Sequence, residues 1–113
     1  MTHAAVLEFP AEIYMKTWAS HVIWLLKTEE PLSFLDKIAS VRFAISKIRQ
    51  FYMIVRKEEN PDCDPTEEKL YLSLTDLYME LGAAKEEGFK GSDLKIRLFD
   101  LCDDVWFGER QIA

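Results

Sequence analysis

The chain has 113 residues, 49% of them hydrophobic, and its formal net charge at pH 7 is −6. This length suits one domain with a single core, and the apolar content excludes disorder over most of the chain. The longest apolar run, residues 22–26, is far shorter than the roughly 20 residues that cross a bilayer, so no membrane partner is expected. Residues 1–12 lack a basic segment followed by an apolar one, so no signal peptide is predicted.

The sequence predicts four helices, at about residues 10–27, 33–57, 65–87 and 93–107. The first begins at Pro10, because proline suits a first helical turn, and the segment 28–31 ends it. We expect its inward face to be a wide apolar stripe, made of Ile13, Tyr14, Trp18, Val22, Trp24, Leu25 and Leu26. Met15 and Ile23 lie beyond that stripe and are expected to be surplus to the core.

The second helix has the most regular periodicity in the chain. Its apolar residues follow one another at steps of 4 and 3, at Phe34, Ile38, Val41, Ile45, Ile48, Tyr52 and Val55. This heptad repeat predicts a helix that packs nearly parallel or antiparallel to its neighbours. Ser33 is the expected N-terminal cap, with Asp36 where a capping box has Glu, and Pro61 ends the helix.

The third and fourth helices are predicted from their caps and their apolar faces. Asp64 caps the third helix, Pro65 takes its first turn and Gly88 is the expected C-terminal stop. Ser92 caps the fourth helix in the same way. The inward faces are predicted to hold Leu70, Leu74, Leu77, Leu81 and Ala84 on the third helix, and Leu94, Leu98, Leu101, Cys102 and Val105 on the fourth.

Residues 1–113 are therefore predicted to form one all-α domain, a four-helix up-down bundle with short connections. The alternative is an α+β fold, because apolar and polar residues alternate in two stretches that would form a small sheet, residues 69–74 and 94–99. We prefer the helical interpretation, since each apolar periodicity continues well past the alternating stretch.

Charge is divided unevenly along the chain. Residues 34–57 hold six basic residues and one acid, a net charge of +5, which leaves −11 for the rest. Arg42, Arg49 and Arg56 are one heptad apart, at positions that flank the apolar seam of the second helix. They could pair with acids of a neighbouring helix, for which Glu80 and Asp104 are candidates, or they could bind an acidic partner protein. A phosphate backbone is a third possibility, but the net charge of −6 disfavours nucleic acid.

The second helix also has apolar residues outside its seam. One stripe per helix is enough for a four-helix monomer, so either the second helix is central and buried nearly all round or these residues form a surface for a partner. We prefer a surface for another protein or for a second copy of the chain. Aromatic residues, Met and Arg are typical of interface centres. The predicted partner-binding residues are Arg42, Arg49, Arg56, Phe43, Phe51, Met53, Ile54 and Trp106.

Few residues suggest catalysis. Cys63 and Cys102 are far apart and form no CxxC motif, which favours a reducing compartment and hence a cytoplasmic location. The two histidines offer no triad, so no catalytic residue is assigned and no cofactor is expected. Carboxylates on facing helices could bind Mg²⁺, and the candidates are Glu67, Glu68, Asp100, Asp103 and Asp104. Acids in a first helical turn also have an ordinary explanation in the helix dipole.

These observations favour a small acidic protein-interaction module that acts as an adaptor, chaperone, regulator or inhibitor of another protein. A dimer of the chain would belong to the same class. One alternative is a magnesium-dependent all-α phosphohydrolase that uses the carboxylates above. Another is a factor linked to nucleic acid through the three arginines, or an acidic mimic of nucleic acid.

Overall fold

The computed structural model describes residues 7–28, 32–89 and 92–107. Within them lie four α-helices and no strand, so the chain is an all-α four-helix bundle, as predicted. The helices are α1, Ala11–Lys27; α2, Phe34–Glu59; α3, Lys69–Gly82; and α4, Asp93–Phe107. No helix in the described part of the chain is both long and apolar enough to cross a membrane.

The alternative sheet from residues 69–74 and 94–99 is wrong, because both stretches are helical. Leu70 and Leu74 are one helical turn apart and are both buried, whereas Leu72 between them points to the solvent and is 50% exposed. The alternation of apolar residues therefore reflects one exposed leucine on a helix rather than the two faces of a strand.

Each helix packs against two others around a shared core. Helix α2 lies between α1 and α3, α4 packs mainly on α1, and the contact between α3 and α4 is narrow. Tyr14 meets Phe51 while Trp18, later in α1, meets Phe43, earlier in α2. Helices α1 and α2 are therefore antiparallel, as their short connection requires.

The predicted seam of α2 is confirmed. Six of its seven residues are buried, namely Ile38, Val41, Ile45, Ile48, Tyr52 and Val55, and Phe34 is half-buried. The inward faces of α3 and α4 are also as predicted, except that Leu94 is only half-buried and that Ala84, half-buried as well, lies beyond the end of α3. A regular heptad repeat marks these faces because each helix keeps one side to its neighbours along its whole length.

The predicted inward face of α1 is partly wrong. Its buried residues are Ala11, Met15, Ala19, Val22, Leu25 and Leu26, whereas Ile13 and Trp24 are exposed and Tyr14 and Trp18 are half-buried. Met15, expected to be surplus, is fully buried. Small alanines let α1 approach its neighbours closely, and the large rings then lie at the edge of the contact.

The start of the third helix differs from the prediction. Asp64 is a cap, since its Oδ1 accepts a hydrogen bond from the Thr66 N–H at 3.1 Å, but it caps a single 3₁₀ turn, Pro65–Glu67. Glu68 then has an extended backbone, and α3 begins only at Lys69. This break matters for the site, because the Glu68 side chain is directed at α2 instead of capping its own helix.

Helix α3 also ends earlier than predicted, at Gly82 rather than near Gly88. Glycine weakens a helix interior, and the Ala83 N–H bonds to the carbonyls of Glu80 and Leu81 to close the last turn. Gly88 does adopt a positive φ of 83°, in the connection to α4, where it precedes the buried Phe89. The expected cap of the fourth helix holds: Ser92 Oγ accepts from the Lys95 N–H at 3.4 Å.

Candidate functional site

The three arginines of α2 lie along its contact with α3. Arg56 is the most deeply placed, at 9% exposed. Its Nε donates to Glu68 Oε1 at 2.7 Å, its Nη2 donates to Glu68 Oε2 at 2.9 Å, and its Nη1 donates to Glu59 at 3.0 Å. These carboxylates raise the pKa of Arg56 above its ordinary value. Tyr52 completes the group, since its hydroxyl donates to Glu68 Oε1.

Arg42 and Arg49 contact uncharged groups of α3. The Arg42 Nε donates to the carbonyl of Tyr78 at 3.0 Å, and its guanidinium lies 4.1 Å from the centre of the Tyr78 ring. Arg49 donates to the Thr75 hydroxyl at 3.2 Å and lies between the rings of Tyr71 and Tyr78, at 5.6 and 5.3 Å. Guanidinium groups over aromatic rings are attracted by the ring electrons, so both arginines help to bind α3 to α2.

The expected acidic partners of the arginine row are wrong. Glu80 pairs with Arg97 of α4, at 2.6 and 2.7 Å, which lowers the pKa of Glu80. Asp104 lies on α4, which does not pack against α2. Sequence spacing located the arginines on the flank of the seam, but it could not show which helix lies beside that flank.

Two groups of contacting aromatic side chains lie along the outer edge of the contact between α1 and α2. Together we call them the aromatic surface, and its members are Phe9, Tyr14, Trp18, His21, Trp24, Phe43 and Phe51. The rings of Tyr14 and Phe51 stack with centres 5.1 Å apart, and Phe9 lies 6.3 Å from Tyr14. Trp18 meets Phe43 edge to face at 5.6 Å, and His21 stacks on Trp24 at 5.9 Å.

Much of this surface is open to solvent. Phe9, Trp24 and Phe43 are 53%, 52% and 54% exposed. Trp18 and Phe51 are half-buried because they pack on the core, and Tyr14 is half-buried where it stacks on Phe51. The Lys47 ammonium lies 5.4 Å from the centre of the Phe43 ring, so the surface has a cation at its side. The result is two groups of contacting rings that residues 7–28, 32–89 and 92–107 leave partly open to solvent.

The structure brings together only some of the predicted partner-binding residues. Phe43 and Phe51 lie on the aromatic surface. Met53 and Ile54 are half-buried, and Ile54 packs on the core. Trp106 is exposed in the last turn of α4. The arginines lie on the other side of α2, against α3.

Sequence reasoning missed five members of the aromatic surface: Phe9, His21, Tyr14, Trp18 and Trp24. It assigned the last three to the core of α1 because they are large and apolar. The signal that could have corrected this is the series Ala11, Met15, Ala19 and Val22, which keeps a helical period and is fully buried. Three of these four residues are small or β-branched, which suits close packing of α1 on its neighbours.

The candidate metal-binding carboxylates do not form one site. Glu68 is 7% exposed and is held by Arg56 and Tyr52, while Glu67 and Asp103 are exposed. Asp100 and Asp104 line a small cleft of about 200 Å³ between α3 and α4, together with Asp76 and Arg97. Within residues 7–28, 32–89 and 92–107, no group of three or more His, Cys, Asp or Glu side chains is arranged to hold a metal ion.

The cysteines do not form a reactive pair. Cys102 is fully buried, and burial raises the pKa of its thiol to about 12. The Cys63 thiol is half-buried and lies 3.5 Å from the carbonyl of Arg56. Cys102 therefore lacks the accessible setting of a nucleophilic cysteine, and the hydrogen bond of the Cys63 thiol is to a carbonyl rather than to a base or a cation.

Comparison with known proteins gives no assignment: no family model, curated protein or solved structure matches this chain.

Proposed function

We propose that this chain is a protein-binding module that docks another protein on the aromatic surface of α1 and α2. The observation that carries the proposal is that Phe9, Trp24 and Phe43 remain about half exposed while each contacts a neighbouring ring. Rings already held in place lose little conformational freedom on binding. Exposed apolar patches of this kind are typical of interfaces.

The role that follows is that of an adaptor, chaperone, regulator or inhibitor, which acts by occupying or presenting another protein. A second copy of the chain is the simplest partner of this class, because two such surfaces could cover each other across a two-fold axis. The alternative functions have less support. Arg42 and Arg49 donate hydrogen bonds to α3, and Arg56 donates to Glu68, so fewer of their donors remain for phosphates. Glu68 is held in the same ion pair and is a poor candidate for a metal ligand.

The test combines affinity capture with light scattering. The tagged chain is compared with a Trp24→Ser/Phe43→Ser variant, which removes two exposed rings from the aromatic surface. A Leu72→Ser/Met79→Ser variant is the matched control, since both residues are exposed leucine-sized side chains on α3. Circular dichroism establishes that all three proteins fold.

The proposal expects a partner, or a mass above that of one chain, with the wild type and with the α3 control. The Trp24→Ser/Phe43→Ser variant is expected to lose the partner or the excess mass. Equal retention by all three proteins, or equal loss by both variants, would contradict the proposal, because the binding would then not depend on the aromatic surface.

A further inference from the structure

A second feature is a cleft at one end of the bundle. An open cleft of about 850 Å³ is bounded by the last residues of α1, the first turn of α2, the connection before α4 and the first turns of α4. Small-molecule sites usually occupy about 300–1,000 Å³. The cleft therefore has the size of a site for a small organic ligand.

The floor of the cleft is apolar. Leu26 and Phe89 are buried at its base, and the rings of Phe34 and Phe89 meet edge to face at 5.5 Å. Phe99 of α4, which is half-buried, and Leu32, which is exposed, also line the cleft. These five side chains come from four different segments of the chain, so the floor exists only in the folded protein.

The rim of the cleft is basic. Among the residues that the structure describes, Lys27, Lys37 and Lys95 line it together with one acid, Glu86, a net charge of +2 in a chain of net charge −6. The Lys37 ammonium is oriented by a hydrogen bond of 3.0 Å to the carbonyl of Thr28. Lys37 and Lys95 are half-buried, so their charges are less screened by solvent than those of freely exposed lysines.

We propose that this cleft binds a small amphipathic carboxylate, with its hydrocarbon tail on the phenylalanine floor and its carboxylate among Lys27, Lys37 and Lys95. The apolar floor disfavours a fully hydrophilic anion, because such a ligand would bury no apolar surface of its own against the phenylalanines. The lysine rim selects an anion over a neutral or cationic amphiphile. This inference does not depend on the aromatic surface and stands if the proposed function fails.

The test is a titration of the full chain with sodium decanoate below its micelle concentration, followed by calorimetry and by amide chemical shifts. Decanoate is expected to bind with shifts centred on Phe34, Gly88, Phe89 and Phe99. Decanol, which lacks the charge, and butyrate, which lacks most of the tail, are each expected to bind at least about tenfold more weakly.

Two variants separate this cleft from other sites. Lys37→Gln/Lys95→Gln is expected to weaken decanoate binding at least about tenfold. Lys47→Gln, which removes a cation beside the aromatic surface, is expected to leave it unchanged. The proposal is overturned by the absence of binding, by equal affinity for decanoate and decanol, or by shifts and variant effects that map to Trp18, Phe43 and Lys47.

Discussion

The guanidinium of Arg56 and the carboxylate of Glu68 form a two-point ion pair between α2 and the residue just before α3. Nε donates to Oε1 at 2.7 Å, and Nη2 donates to Oε2 at 2.9 Å. The Tyr52 hydroxyl donates to the same Oε1. Both charged side chains are buried, so each needs the other to compensate for its lost hydration.

Removing one member of this pair is expected to be costly. Glu68→Leu leaves the Arg56 charge buried beside only Glu59, and the free energy of unfolding should fall by roughly 3–5 kcal/mol. Urea unfolding followed by circular dichroism measures the change. The exposed pair between Glu80 and Arg97 is the control, since Glu80→Ala should cost about 1 kcal/mol or less.

Replacing the whole buried group tests the cause of that loss. The triple variant Tyr52→Phe/Arg56→Met/Glu68→Leu leaves no buried charge, so it should be clearly more stable than Glu68→Leu alone. A triple variant that is as unstable as the single variant would show that shape, rather than an uncompensated charge, determines the loss.

The Glu80–Arg97 pair predicts a small dependence of stability on pH. Hydrogen bonds from Arg97 hold the pKa of Glu80 below its ordinary value of 4.5. As the pH falls, Glu80 is therefore protonated in the unfolded chain before it is protonated in the folded protein. The stabilisation from the pair is complete above the pKa of Glu80 in the unfolded chain, and it is lost as the pH falls through the pKa of Glu80 in the folded protein. Between about pH 6 and pH 3, the wild type should lose more stability than Glu80→Gln, by less than about 1 kcal/mol because the pair is exposed.

Urea midpoints measured at both pH values would check this prediction. An identical acid dependence in the wild type and in Glu80→Gln would contradict it, because the pair would then contribute nothing that depends on protonation.

The two cysteines should react at very different rates. The thiol of Cys102 is buried and its pKa is raised to about 12, so almost none of it is thiolate at neutral pH. Iodoacetamide should label Cys63 in the native protein and reach Cys102 only after unfolding. Mass spectrometry of digested protein gives the site of labelling, and native Cys63→Ser should remain unlabelled. Equal labelling of both cysteines in the native state would show that the α4 core opens readily.

Gly82 and Arg42 should be energetically coupled. A Cβ at position 82 would lie 2.9 Å from Nη2 of Arg42, so Gly82→Ala must displace the guanidinium from the Tyr78 carbonyl and ring. Alanine also favours the helix by about 0.5–1 kcal/mol, which offsets part of the loss. In an Arg42→Ala background there is no guanidinium to displace, so Gly82→Ala should stabilise the protein by about 0.5–1 kcal/mol.

A double-mutant cycle in urea measures this coupling, which we expect to be about 1 kcal/mol. Gly82→Ala with the same effect in both backgrounds would mean that the arginine adjusts freely and that the glycine is not needed for space.

The fold was largely predictable because helix periodicity is a local property of the chain. The seam of α2 follows a strict heptad, and its buried residues Ile38, Ile45 and Tyr52 lie where that repeat requires. The end of α3 was not predictable from the positions of glycine in the sequence alone. Gly82 and Gly88 are both possible stops, because glycine weakens a helix without fixing where it ends, and α3 ends at the first of them.

The candidate site was less predictable, because it depends on which helices are neighbours. Spacing located Arg42, Arg49 and Arg56 on one flank, but their partners are a carbonyl, a hydroxyl and a glutamate whose positions come from the packing of α3. The aromatic surface was missed on α1 for a similar reason. Large rings such as Trp18 resemble core residues in sequence, and only the burial of Ala11 and Ala19 shows which face is inward.

The arginine contacts also limit how α3 can slide along α2. Leu70, Leu74, Leu77 and Leu81 repeat so evenly that a shift of one heptad would still bury leucines against the seam. Such a shift would take Glu68 away from Arg56, and Tyr78 away from Arg42. The hydrogen bonds of the arginines thus define the axial alignment of α2 and α3, whose apolar faces alone would also fit together after a shift of one heptad.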